Sequence, residues 1–109
     1  MLPNGDRAVV EIDKLTEYCL NQEHPRGRHK ARVFAAAVGF TPGHATELQQ
    51  ALFDAARTQP AVFTDQDDFG QRFVIDFPLP GPKGTAQVRS SWIIRVKEDF
   101  PRLTSCYVL

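Results

Sequence analysis

Apolar positions recur at helical spacing in the first half of the chain and alternate in the second. Leu15, Tyr18, Cys19 and Leu20 follow Asp13, which reads as the N-cap of a brief helix. Before it, Ala8–Ile12 is a short strand or an extended lead-in. Asn21–Gly27 is a loop broken by Pro25 and Gly27. From Arg28 to Val38 an alanine-rich helix carries Val33, Phe34, Ala37 and Val38 on one side, and Gly39 stands where a helix stops. Thr41-Pro42-Gly43 restarts the chain into a helix from about His44 to Arg57, which buries Leu48, Ala51, Leu52 and Ala55.

After Pro60 the period shortens to two. Ala61–Thr64 is a short strand leading into an acidic turn, Asp65–Asp68. Arg72–Leu79 sets Phe73, Ile75, Phe77 and Leu79 against Arg72, Val74 and Asp76. Gly81–Gly84 is a hairpin turn. Thr85–Val96 follows, with Ala86, Val88, Ser90, Trp92 and Ile94 on one face and Gln87, Arg89, Ser91, Ile93 and Arg95 on the other. Arg102–Val108 is the last strand. Helices first and hairpin-linked strands after predict an α+β fold, with N-terminal helices on one face of a C-terminal antiparallel sheet of about four strands. The 109 residues suit a single domain, 1–109.

Charge changes the picture locally rather than globally. Thirteen basic and thirteen acidic residues cancel, so any attraction for nucleic acid must come from patterning. From His24 to Thr46 there is no acidic residue, while Arg26, Arg28, Lys30 and Arg32 and all three histidines, His24, His29 and His44, lie there. Either this is a solvated helix face or it is a positive field suited to phosphate. Arg28 and Arg32 fall opposite the apolar stripe. Lys30 points into it, flanked by His29, and either snorkels to the surface or reaches over the sheet. Arg72, Arg89 and Arg95 form a potential cationic patch across neighbouring strands, or are plain arginines on a half-solvated sheet.

The remaining polar residues narrow the chemistry. Ser90 interrupts an apolar row, as a satisfied core hydroxyl or as the mark of an opening. Tyr107 is a packing aromatic or a proton donor and stacking platform. No glycine-rich phosphate loop, Cys-x-x-Cys or paired histidine spacing appears, and Asp65, Asp67 and Asp68 lack calcium-loop spacing, so neither metal nor cofactor is expected. Cys19 and Cys106 fit reduced, buried thiols of a cytoplasmic protein. No apolar run spans a bilayer and the start, Met1–Asp6, lacks signal-peptide character. What remains suits metal-independent RNA cleavage. His29 serves as base or acid, Lys30 and the arginines stabilise phosphorane charge, and Ser90 or Tyr107 orients or donates.

The run His24–Phe34 resembles the hallmark of a bacterial family of unknown function, as do Leu2-Pro3-Asn4, the block Val88–Arg95 and the ending Glu98–Tyr107. That family is found beside a small barrel-like partner in an arrangement like a toxin–antitoxin pair. Its helix-then-sheet order, Gly-x-x-Lys-Ala-type helix and Ser/Thr-x-Trp strand are similar to the barnase–EndoU–colicin–RelE class of ribonuclease toxins. The resemblance implies a toxin with an RNA substrate, tRNA or mRNA, and a cognate antitoxin. Its helix motif points to His29 and Lys30 and its strand motif to Ser90. A non-catalytic interaction module with a basic docking helix is the alternative, and an RNA-binding domain without cleavage a third reading.

Overall fold

A computed structural model describes all 109 residues. A single turn of 3-10 helix, Gly5–Arg7, leads to a short helix α1, Ile12–Lys14, which widens into a π-helical turn over Leu15–Cys19. Leu20 N–H donates to Leu15 O at 2.9 Å to close that turn. Then come α2, Arg28–Val38, and α3, Ala45–Thr58, with a 3-10 turn Pro42–His44 before α3. Four strands follow: β1 Val62–Asp67, β2 Gly70–Gly81, β3 Gly84–Arg95 and β4 Arg102–Val108. They form one antiparallel sheet in sequence order. The α+β layout, with helices in the N-terminal half and a four-stranded sheet after them, is as the periodicity predicts.

The N-terminal region differs in detail. Ala8–Ile12 is not a strand; only Val9 bridges, in parallel, to Arg102 at the start of β4. Asp13 is not the N-cap: the helix starts two residues earlier, after Glu11, with no side-chain cap. The acidic turn is also displaced, because Asp65 and Asp67 belong to β1 and the chain reverses between Asp67 and Gly70. A bulge between Phe63 and Asp65 absorbs the extra residue.

Two devices hold the frame that carries the site. Gly39, at φ 78°, ends α2: its N–H donates to Ala35 O and Phe40 N–H donates to Phe34 O, which satisfies carbonyls the helix leaves open. The tight turn between β2 and β3 pairs Gly81 with Gly84 and fixes the register of the whole hairpin. The core lies between helices and sheet. Phe34 and Val38 of α2 and Leu48 and Leu52 of α3 pack with Ile75, Phe77, Val88, Trp92 and Leu103. β1 stays exposed along its length. No helix is long and apolar enough to cross a membrane.

Candidate functional site

The sheet has two unlike faces. Val88, Ser90 and Trp92 turn toward the helices and are buried, as are Leu103 and Cys106 beside them. Arg89, Ser91 and Arg95 turn the other way, together with Arg72, Val74 and Asp76 of β2 and Tyr107 of β4. The open face is therefore the arginine face. Ser90 lies on the closed one, with no exposed surface. Its hydroxyl donates to Ile75 O at 2.9 Å and accepts from Trp92 Nε1–H at 2.9 Å. A buried indole N–H needs a partner, and Ser90 is that partner; the hydroxyl is not presented to solvent or to any other site residue.

Lys30 and Tyr107 do meet. Lys30 Nζ lies 4.7 Å from the centroid of the Tyr107 ring, within cation–π range. The buried stripe of α2 runs through Ala31, Phe34 and Val38, not through Val33, which is 44% exposed. This displaced stripe leaves Lys30 at its margin rather than inside it. Its stem runs toward β4, whose Tyr107 alternates with buried Cys106 and so leans outward. Lys30 is exposed, as a snorkelling lysine would be, and its ammonium also lies over the Tyr107 ring at the sheet's edge.

The three histidines separate into two roles. His24 Nδ1 accepts from the Arg26 and Gly27 N–H groups, each at 3.0 Å, and its ring lies edge-on to Tyr18. It ties the loop just ahead of α2. His44 Nδ1 accepts from Thr41 N–H at 3.1 Å, and its ring stacks on Phe40. Both rings are occupied in holding helix starts. His29 is exposed and makes no side-chain hydrogen bond.

The basic residues separate as well. Arg72 is held by Asp67 at 2.6 Å, with Asp65 at 4.0 Å. Arg89 is held by Asp76 through two hydrogen bonds, Nε to Oδ1 at 2.8 Å and Nη2 to Oδ2 at 2.9 Å. Arg95 has no ion pair. The three arginines share a face as expected, but carboxylates offset two of them, so the strand patch carries far less net charge than its arginines suggest. Arg26, Arg28, Lys30 and Arg32 at the start of α2 make no ion pair at all. Four unpaired cations are thus gathered at and just before the start of α2, where the backbone N–H groups of a helix start add to the positive field.

Asp76 is the residue that the sequence reading left out. It faces Arg89 directly across the β2–β3 hairpin. A signal for it existed: counting equally back from Gly81 and forward from Gly84 brings the two opposite one another. The Arg89 guanidinium holds the Asp76 carboxyl below the usual carboxylate range. In return Asp76 raises Arg89 above the ordinary guanidinium value, and Tyr107 adds to the effect. Arg89 and Tyr107 are themselves register partners across β3 and β4. Asp76, Arg89, Tyr107 and Lys30 thus run as one row of charge and phenol from the middle of the sheet to α2.

Behind the row, Cys19 and Cys106 are free thiols buried in the core. Interaction with the neighbouring Cys19 sulfur, together with burial, pushes the Cys106 thiol up. No group of three histidine, cysteine or acidic side chains is arranged to hold a metal.

Residues 1–109 match the family described as Domain of unknown function (DUF6883), and the chain belongs to that family. No curated protein matches it in sequence. Among solved structures it is similar to a chain of the contact-dependent growth inhibition toxin–immunity protein complex from Klebsiella pneumoniae 342. The match has 15% identity, covers 95% of each chain and has a TM-score of 0.67. At that identity the likeness is one of fold.

Proposed function

We propose that this member of a family of unknown function is the toxin of a bacterial toxin–antitoxin pair, and that it is a metal-independent endoribonuclease acting on tRNA or mRNA in the cytoplasm. The observation that carries the reading is the placement of Lys30 over Tyr107 at a helix start whose cations have no carboxylate partners. The shared fold with a chain of a toxin–immunity protein complex supports a toxin role and a small neutralising partner protein.

The chemistry assigned to the site is transesterification. The ribose 2′-hydroxyl attacks the adjacent phosphorus, and the bond to the 5′-oxygen of the next nucleotide breaks, leaving a 2′,3′-cyclic phosphate and a 5′-hydroxyl. His29 takes the 2′ proton. Lys30 stabilises the charge that develops on the non-bridging oxygens. Tyr107 gives its proton to the departing 5′-oxygen. Arg28 and Arg32 bind flanking phosphates, Arg95 extends the track along the open sheet face, and Arg72 and Arg89 border it. Ser90 supports the strand from within the core and takes no part in proton transfer.

The test is incubation of purified protein with total tRNA and with mRNA. Wild type is expected to give fragments ending in cyclic phosphate, and Lys30→Ala to lower the rate by on the order of 100-fold. His29→Ala is expected to cost a similar factor and to flatten the pH–rate profile near neutrality. RNA left intact by wild-type protein would sink the reading. The same unpaired cations favour a second reading, a non-catalytic module whose basic helix docks an acidic partner. That reading predicts partner binding with intact RNA.

A further inference from the structure

We propose that Asp76 is a positioning residue: it fixes the plane of Arg89 so that Arg89 and Lys30 together hold Tyr107 in place at the edge of the sheet. The role in catalysis rests on the ribonuclease reading; the role in placing Tyr107 does not.

Three observations carry it. Asp76, Arg89 and Tyr107 are direct register partners on adjacent strands β2, β3 and β4, so their side chains stand side by side on the open face. The Asp76–Arg89 contact is bidentate, at 2.8 and 2.9 Å. Two parallel hydrogen bonds fix the guanidinium plane, which one contact cannot do. Finally, the row ends on Lys30, whose Nζ sits over the Tyr107 ring.

The competing account treats Asp76–Arg89 as one more surface ion pair. Three of the other four arginine pairs have evident structural tasks, and the fourth, Arg57–Asp54, lies within a single turn of α3. Arg7–Asp99 ties the N-terminal segment to the loop before β4, Arg102–Glu98 braces that same loop, and Arg72–Asp67 spans the β1–β2 reversal. Asp76 and Arg89 instead sit in mid-strand, within a ladder already fixed by its hairpin. Both side chains are more than a third exposed, and exposed pairs of this kind add little stability. What the pair sets is the direction of Arg89. Of the five paired arginines, Arg89 is also the one whose register partner on the next strand is Tyr107.

Tyr107 is thereby a ring held from two sides. Arg89 borders it along the strands and Lys30 covers its face. A phenol that gives up a proton to a leaving oxygen must be aimed, because small misplacements of a reacting group are costly in rate. Asp76 touches neither RNA nor Tyr107; it acts through Arg89.

Nuclear magnetic resonance of the intact chain tests the placement. The Lys30 ε-methylene protons lie over an aromatic ring, so their signal is expected upfield of the other lysines. Tyr107→Leu gives the reference without the ring. Asp76→Asn is expected to move the Lys30 signal toward that reference, and Asp76→Glu to leave it close to wild type. Arg89→Gln, which keeps Asp76, should reproduce the effect of Asp76→Asn and guards against a variant that fails to fold. A Lys30 signal unmoved in a folded Asp76→Asn or Arg89→Gln protein would overturn the proposal. On RNA, Asp76→Asn is expected to lower kcat by on the order of tenfold with KM held. Wild-type protein that leaves RNA intact while the Lys30 signal shifts as expected defeats the ribonuclease reading alone.

Discussion

Ser90 and Lys30 show how residue-level readings are decided by which neighbour each side chain finds. Both were ambiguous in sequence, and the structure resolves them in opposite directions. Ser90 becomes the internal partner of Trp92; Lys30 leaves the apolar stripe for the Tyr107 ring. Ser90→Ala leaves the buried Trp92 N–H without an acceptor, and is expected to cost about 1–3 kcal/mol in urea unfolding. Cleavage per folded molecule should stay close to wild type, and a loss comparable to that of Lys30→Ala would return Ser90 to the reacting set. His24 and His44 were grouped with His29 by sequence proximity to the arginines. Their Nδ1 atoms accept backbone N–H groups and so help hold the chain ahead of α2 and α3, whereas His29 makes no such local contact.

At the scale of elements, α2 and the β2–β3 hairpin do most to build the site. Gly39 ends α2 in the left-handed region, where a side chain is strained. Gly39→Ala is expected to lower stability by about 1 kcal/mol, read as a reduced urea midpoint. Since Gly39 sits against the turn residues Pro82 and Lys83, the same change should loosen the docking of α2 on the hairpin, visible as faster amide exchange in both. Gly70 is a stricter case. It sits at φ 150°, and a Cβ there would collide with the Ile94 carbonyl, so Gly70→Ala is expected to cost more than Gly39→Ala.

For the whole molecule, balanced net charge hides a sorted distribution. Carboxylates neutralise Arg72 and Arg89 on the sheet and Arg7 and Arg102 around the loop before β4, while the start of α2 is left positive. Asp67, Asp76, Glu98 and Asp99 are all held below the usual carboxylate range by arginine partners. A carboxyl that binds its proton less readily folded than unfolded adds stability above its unfolded value, and that stability disappears as pH falls through the folded one. The urea midpoint is therefore expected to hold from pH 7 to about pH 5 and to fall below about pH 4. Salt should shrink this acid-sensitive part because these groups are exposed. A midpoint that rose on acidification would show that the pairs are not formed in solution.

The order of elements, the strand faces and the hairpin register could be read from the chain, because each depends on local spacing. Helical and alternating periods report which side of an element is buried, and a tight turn forces Asp76 opposite Arg89 without any distant contact. The acid-free segment His24–Thr46 was legible for the same reason. The row itself was not. Tyr107 meets Arg89 through a longer connection that does not fix register, and β4 carries a bulge in its pairing with β3. Lys30 meets Tyr107 only because α2 packs on β3 and β4 with its stripe turned toward Ala31 rather than Val33. Periodicity locates an apolar face to within a residue or so, and that margin separates a buried lysine from one that closes over an edge strand. The sequence by itself determined the parts and their charges; tertiary packing decided which of them touch.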